Sequence, residues 1–160
     1  MDKITYHIAG PQDIETLVEY RLIFAQELAG VMPPEQVNIL RNQMTDYFER
    51  ATAARNCLSV VALCGEAVAG IGTVQFREQP GNFKNPSGRW GYVMNMYTVK
   101  RFRKRGICTD ILEILIEEGK KYGITAFELH ATPSGEPVYQ KSGFILHQEP
   151  TYRKYMEDLK

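Results

Sequence analysis

The sequence has no net charge at pH 7, because Lys plus Arg and Asp plus Glu both count 19. Such a balance gives no global field that would draw nucleic acid or an anionic membrane surface. No uninterrupted apolar run approaches the ~20 residues that span a bilayer. Cysteine is scarce: Cys57, Cys64 and Cys108 are odd in number and lack C-x-x-C spacing, which argues against a disulfide framework and a zinc site. No metal is expected. The opening residues Met1-Asp2-Lys3-Ile4-Thr5-Tyr6 lack the apolar core of a signal peptide, so the expected location is cytoplasmic. Neither the phosphate loop G-x-x-x-x-G-K-[ST] nor the dinucleotide fingerprint G-x-G-x-x-G occurs. Repeats, low-complexity tracts and linkers are missing too. The 160 residues, 44% of them apolar, are therefore expected to form a single domain over 1–160 with a real core.

What is present reads as alternating elements. Ile4, Tyr6 and Ile8 alternate with polar residues, predicting a strand that Gly10-Pro11 ends. Asp13 suits the N-cap of a helix carrying Leu17, Val18, Phe24 and Leu28. Pro34 suits the first turn of a second helix running toward Ala54. Leu58 to Leu63 and Val68 to Phe76 read as a hairpin turning at Cys64-Gly65-Glu66, with Gly70 and Gly72 permitting close packing or a bulge. A strand over Trp90 to Val99 and an amphipathic helix over Asp110 to Tyr122 follow, capped by Gly123. Thr125 to Ala131 reads as a strand and Pro137 to Lys141 as a short helix. Two last strands are expected around Phe144 to Gln148 and Arg153 to Met156. The order β-α-α-β-β-β-α-β-α-β-β predicts an α/β (α+β) fold, a mixed sheet with helices on both faces.

Charge that is absent globally is concentrated locally. Five of the six residues in Lys100-Arg101-Phe102-Arg103-Lys104-Arg105 are basic, and Gly106 follows at the start of a helix. A short strand-to-helix turn offers N–H groups without helical acceptors, at the positive end of the helix dipole. Gly106 removes the Cβ that would hold a ligand off the backbone. The combination suits a pyrophosphate better than a carboxylate or a duplex.

The run Tyr97-Thr98-Val99-Lys100-Arg101-Phe102-Arg103-Lys104-Arg105-Gly106-Ile107-Cys108-Thr109 resembles motif A, [RQ]-x-x-G-x-[GA], of the GCN5-related N-acetyltransferases (GNAT). Downstream, Val138-Tyr139-Gln140-Lys141-Ser142-Gly143-Phe144 is similar to their Tyr-x-x-x-Gly-Phe segment. The resemblance covers about Leu58 to Met156, and the two-helix opening fits the same fold. It implies an N-acetyltransferase that uses acetyl-CoA as co-substrate, bound by Tyr97, Thr98, Val99, Arg103, Lys104, Arg105, Gly106, Ile107, Cys108 and Thr109. It implies a small-molecule or peptide amine acceptor, direct attack without an acyl-enzyme, and Tyr139 as the acid that protonates the departing thiolate. A homodimer is also an implied possibility.

Two positions depart from the family pattern. Cys108 stands where Gly or Ala is usual, and a thiol is small enough to fit. Thr132 stands where many members carry an Asn, and its hydroxyl can offer cofactor a similar hydrogen bond. Candidate substrate contacts are Arg21, Glu27, Glu78 and Asn95, with the polar segment Asn82 to Arg89 bordering the acceptor. His130 is of a type suited to proton transfer near neutrality, but no base is singled out over a water chain. The competing class is a non-catalytic module that binds acyl-CoA as a sensor. Nucleic-acid binding fits poorly, since no aromatic platform lies beside the basic run.

Overall fold

The computed structural model describes residues 2–156. Strand β1 (Ile4–Ile8) leads through a 3-10 turn to helices α1 (Ile14–Ala29) and α2 (Pro34–Ala53). Asp13 does precede α1, but its carboxylate turns back to accept the Gly10 N–H at 2.9 Å instead of capping the helix by a side-chain bond. Strands β2 (Cys57–Cys64), β3 (Ala67–Glu78) and β4 (Arg89–Thr98) form an antiparallel meander. Helix α3 (Ile107–Lys121) then carries the chain to β5 (Ala126–Leu129), which lies parallel to β4. The sheet order is β1-β2-β3-β4-β5.

The two faces of β3 explain the layering. Ile71 points into a core built with Leu17, Val18 and Leu22 of α1 and Met44 and Phe48 of α2. Its neighbours Gly70 and Gly72 point to the other face, where α3 lies. A Cβ on Gly72 would fall 2.5 Å from Ile111 Cγ2 and 2.6 Å from Met96 Sδ. The missing side chains let α3 approach closely, and Ile107, Ile111, Leu112 and Leu115 become almost wholly buried. Close packing at these glycines is as the sequence suggested, and a bulge accompanies it: the β3–β4 register slips between Ile71 and Thr73.

The chain divides into two compact units, Met1–His130 and Ala131–Lys160. The second holds the short helix α4 (Glu136–Lys141). Here the expected order needs correction, because neither Phe144–Gln148 nor Arg153–Met156 forms a strand. A strand needs both a ladder partner and a face to bury. Ile145, Leu146, Tyr152 and Tyr155 are 91%, 81%, 90% and 74% exposed, so neither run buries one.

The packing at Gly72 yields a stability prediction. Gly72→Val should lower unfolding stability by about 1–3 kcal/mol through overpacking against Ile111. Urea denaturation monitored by the single tryptophan, Trp90, measures it.

Candidate active site

The strand β4 changes character halfway along. Its pairing with β5 runs from Trp90 opposite Ala126 to Val93 opposite Leu129 and stops there. Two residues later Asn95 adopts φ +57°, a left-handed conformation inside a strand. This is the extra residue of the bulge, and a bulge bends and twists the strand that carries it. Val93 is the last residue of β4 paired with β5, which ends at Leu129, so the backbone of β4 beyond it has no β5 partner. Asn95 is only 4% exposed, and neither Nδ2 nor Oδ1 of its amide finds a hydrogen-bond partner. A buried amide left unpaired costs on the order of 1–3 kcal/mol. Backbone strain and an unpartnered buried amide thus coincide at this one residue.

The strand end feeds a tight turn. Val99 is fixed at both backbone groups, its N–H donating to Ala69 O at 2.9 Å and its carbonyl accepting from Phe102 at 2.8 Å. Lys104 at φ +64° and Gly106 at φ +77° are both left-handed. Changes of handedness along successive residues make anion-binding concavities of backbone N–H groups. The first helical bond of α3 is Asp110 N–H to Gly106 O at 3.0 Å, so the amides of the preceding turn lie at the positive helix end. A Cβ on Gly106 would meet nothing within 4 Å, so the space in front of the turn is open. Cys108 and Thr109 stand half-buried in the first turn.

The basic side chains do more than supply charge. Arg103 donates from Nε to Thr98 O at 2.9 Å and from its terminal nitrogen to Glu27 Oε2 at 3.0 Å. Glu27 also accepts from the Tyr97 hydroxyl at 2.7 Å. Arg105 reaches Asp2 O at 3.1 Å and Cys64 Sγ at 3.8 Å. The two arginines thus tie the turn to α1 and to the start of the chain. Tyr97 is buried against Phe24 and Tyr20, with ring centroids 5.6 and 6.4 Å away. Burial, and then the Glu27 carboxylate, push its phenol up to about 12. The same hydrogen bond, helped by Arg103, holds Glu27 below the usual carboxylate range.

Of the residues singled out in the sequence, Glu27, Asn95, Tyr97, Thr98, Val99, Arg103, Lys104, Arg105, Gly106, Ile107, Cys108 and Thr109 gather at this end of β4. Glu78 does not. It pairs with Arg89 at the opposite end of the β3–β4 ladder. Arg21 lies on α1, in the electrostatic reach of Tyr47 and Tyr92. Thr132 and Tyr139 belong to the second unit. There the Thr132 hydroxyl accepts the Gly135 N–H at 3.3 Å, and the buried Tyr139 ring lies 6.2 Å from that of Phe144. Sequence reasoning missed Tyr92, Arg77 and Glu128. Register puts Gln75, Tyr92 and Glu128 in one row, and strand alternation with Tyr92 was the signal available.

The Acetyltransferase (GNAT) domain profile matches residues 28–160. By sequence the chain is 25% identical over 75 residues to GCN5-related N-acetyltransferase 6, chloroplastic, of Arabidopsis thaliana. That match takes in 45% of this chain and 26% of the relative, so it spans about a quarter of that protein's length. Among solved structures, a predicted acetyltransferase from Clostridium acetobutylicum with acetyl-CoA superimposes at TM-score 0.85 and 29% identity, covering 95% of this chain and 96% of that one. A GCN5-related N-acetyltransferase from Ralstonia eutropha follows at 0.83 and 22%, covering 95% and 99%. Glucosamine-6-phosphate N-acetyltransferase from Arabidopsis thaliana gives 0.71 and 16%, covering 98% and 100%. The last two show the shared fold alone.

The Tyr97–Glu27 pair can be tested directly. Glu27→Gln removes the negative charge that opposes ionisation, so the Tyr97 phenol should titrate at lower pH, while burial still keeps it above an ordinary tyrosine. Carbon-13 NMR of ring-labelled tyrosine through an alkaline titration reads the shift, and an unmoved resonance would contradict the coupling.

Proposed function

Because the chain belongs to the Acetyltransferase (GNAT) domain family, we propose that it transfers an acetyl group from acetyl-CoA to an amine by direct attack within a ternary complex. The observation that carries this reading is the turn at Gly106. Left-handed residues, a helix N-terminus and open space coincide where motif A predicts a pyrophosphate. Backbone amides from Gly106 to Thr109 would hold its oxygens, with Lys104 adding an exposed charge. The strand end from Tyr97 to Val99 would face the pantetheine arm, and Thr132 would offer it a hydroxyl. In this reading residues 1–160 act as one acetyltransferase domain.

Acetyl-CoA supplies the acyl group as a thioester, a good acceptor for a neutral amine. The amine nitrogen forms the amide bond as the carbon–sulfur bond breaks; the nitrogen sheds one proton and the sulfur gains one. Asn95 suits a positioning role, since its amide lacks any partner and stands on the stretch of β4 beyond its pairing with β5, where the reacting groups would meet. A fixed donor aimed at developing charge is worth more in a dry site than in water. Tyr139 would protonate the departing thiolate through its phenol. No acyl-enzyme is called for.

Two variants separate binding from chemistry. Gly106→Glu puts a negative charge in front of the turn and should weaken acetyl-CoA binding at least tenfold in calorimetric titration. The new Cβ meets nothing within 4 Å, and the left-handed φ of +77° costs a side chain roughly 1–2 kcal/mol. The fold survives that cost, and Gly106→Ala, carrying the strain without the charge, measures it separately. Arg103→Ala and Arg105→Ala should each weaken it less, since the backbone donors remain. Tyr139→Phe should leave binding nearly unchanged and lower kcat by about 10²-fold. An unaltered Kd in Gly106→Glu would remove the turn as the cofactor site, and full kcat in Tyr139→Phe would make Tyr139 structural.

A further inference from the structure

The sheet face toward α1 and α2 carries a polar cluster apart from the Gly106 turn. Gln75 and Arg77 of β3, Tyr92 of β4 and Glu128 of β5 share this face by register and alternation. Arg77 stacks its guanidinium 3.9 Å above the Tyr92 ring and donates from Nε to Gln75 Oε1 at 2.6 Å. Gln75 in turn donates to the Tyr47 hydroxyl at 2.9 Å. His130, just past β5, sets its ring 5.7 Å from that of Tyr92. A cleft of 430 Å³ runs along Tyr47, Gln75 and Arg77 and is also lined by Arg50 and Asn56.

Arg21 is the unusual member. It is half-buried on α1, and burial pulls its pKa below the ordinary guanidinium value. Its electrostatic neighbours are the phenols of Tyr47 and Tyr92, and Tyr47 also feels Arg77. Three other arginines are neutralised: Arg41 pairs with Glu19, Arg50 with Asp46 and Arg103 with Glu27. Among the described residues neither Arg21 nor Arg77 has an ion-pair partner. Glu128, at the end of the row, pairs with neither. A guanidinium withdrawn from water without a counter-charge is unfavourable, and a ligand oxyanion is what its planar fork fits. Tyr92 lies next to Val93, the last residue of β4 paired with β5.

We propose that Arg21 and Arg77 form the anion-recognition wall of the acceptor site, so that the substrate is a small amine bearing a carboxylate or phosphate group. This rests on the acetyl-transfer reading and names its substrate class. The oxyanion engages the guanidiniums and the amino group points along β4 toward Asn95, with Glu128 and His130 nearby on the same face. Polycationic amines meet like charge there and are disfavoured.

The experiment measures thiol release from acetyl-CoA by the full chain with glycine, glutamate and O-phosphoethanolamine, against glycinamide, spermidine and kanamycin. The anionic or zwitterionic amines should exceed the others about tenfold or more in kcat/KM. Amino carboxylates ahead of O-phosphoethanolamine would identify a carboxylate, and the reverse a phosphate. Arg21→Gln should raise KM for the best amine about tenfold with kcat little changed, and Arg21→Lys should recover part of it. Arg77→Gln, at an exposed position, repeats the test should the first variant fold poorly. Turnover confined to glycinamide, spermidine or kanamycin overturns the anion wall and leaves acetyl transfer standing. No turnover with any amine counts against acetyl transfer itself. Calorimetry of glutamate and O-phosphoethanolamine on the CoA-saturated protein then decides the wall: binding that Arg21→Gln removes supports it, and no binding overturns it.

Discussion

Everything at the β4–α3 junction depends on one residue in an uncommon backbone conformation. Asn95 at φ +57° breaks the regular rise of β4, shifts its register against β3 and coincides with the loss of pairing to β5. A left-handed non-glycine residue costs roughly 1–2 kcal/mol, least for Asn and Asp, whose short polar side chains tolerate it. The unpartnered amide adds to that cost. The fold carries both within a strand whose neighbours are tightly packed, and beyond them the strand end leaves its pairing with β5 and leads into the turn at the head of α3.

Much of this was legible in the sequence because the signals were local. Gly106 after a basic run, at the head of a helix with a clear apolar period, points to the turn. Gly70 and Gly72 announced close packing for the same reason: a missing Cβ has few uses inside a strand. The strands expected around Phe144–Gln148 and Arg153–Met156 are not formed, because short runs rich in apolar and aromatic residues do not say whether a partner strand exists. Ile145, Leu146 and Tyr152 stay in solvent, and no local pattern distinguishes that from burial. Arg77, Tyr92 and Glu128 escaped notice since their association is a matter of register across three strands, fixed by a bulge that the residue letters do not position.

The basic run shows how composition can mislead about role. Five cations in six residues look like a field for an anion. Two of the most suggestive, Arg103 and Arg105, are engaged in holding the turn: one to Thr98 O and Glu27, the other to Asp2 O and Cys64. Charge-assisted bonds of this kind fix geometry as well as charge. Arg103 also keeps Glu27 ionised beside a phenol that stays protonated, so the α1 contact persists across the neutral range.

The glycine pair under α3 has a consequence for how a ligand would be met. Ile107 and Ile111 are seated closely against β3, so the first turn of the helix is anchored to the centre of the sheet. The amides at that turn are therefore preorganised, and the entropy lost on binding falls on the ligand's own rotors instead of on the protein. A long, flexible arm with many free torsions would bear that loss most heavily, and contacts along the strand end from Tyr97 to Val99 would be where it is recovered.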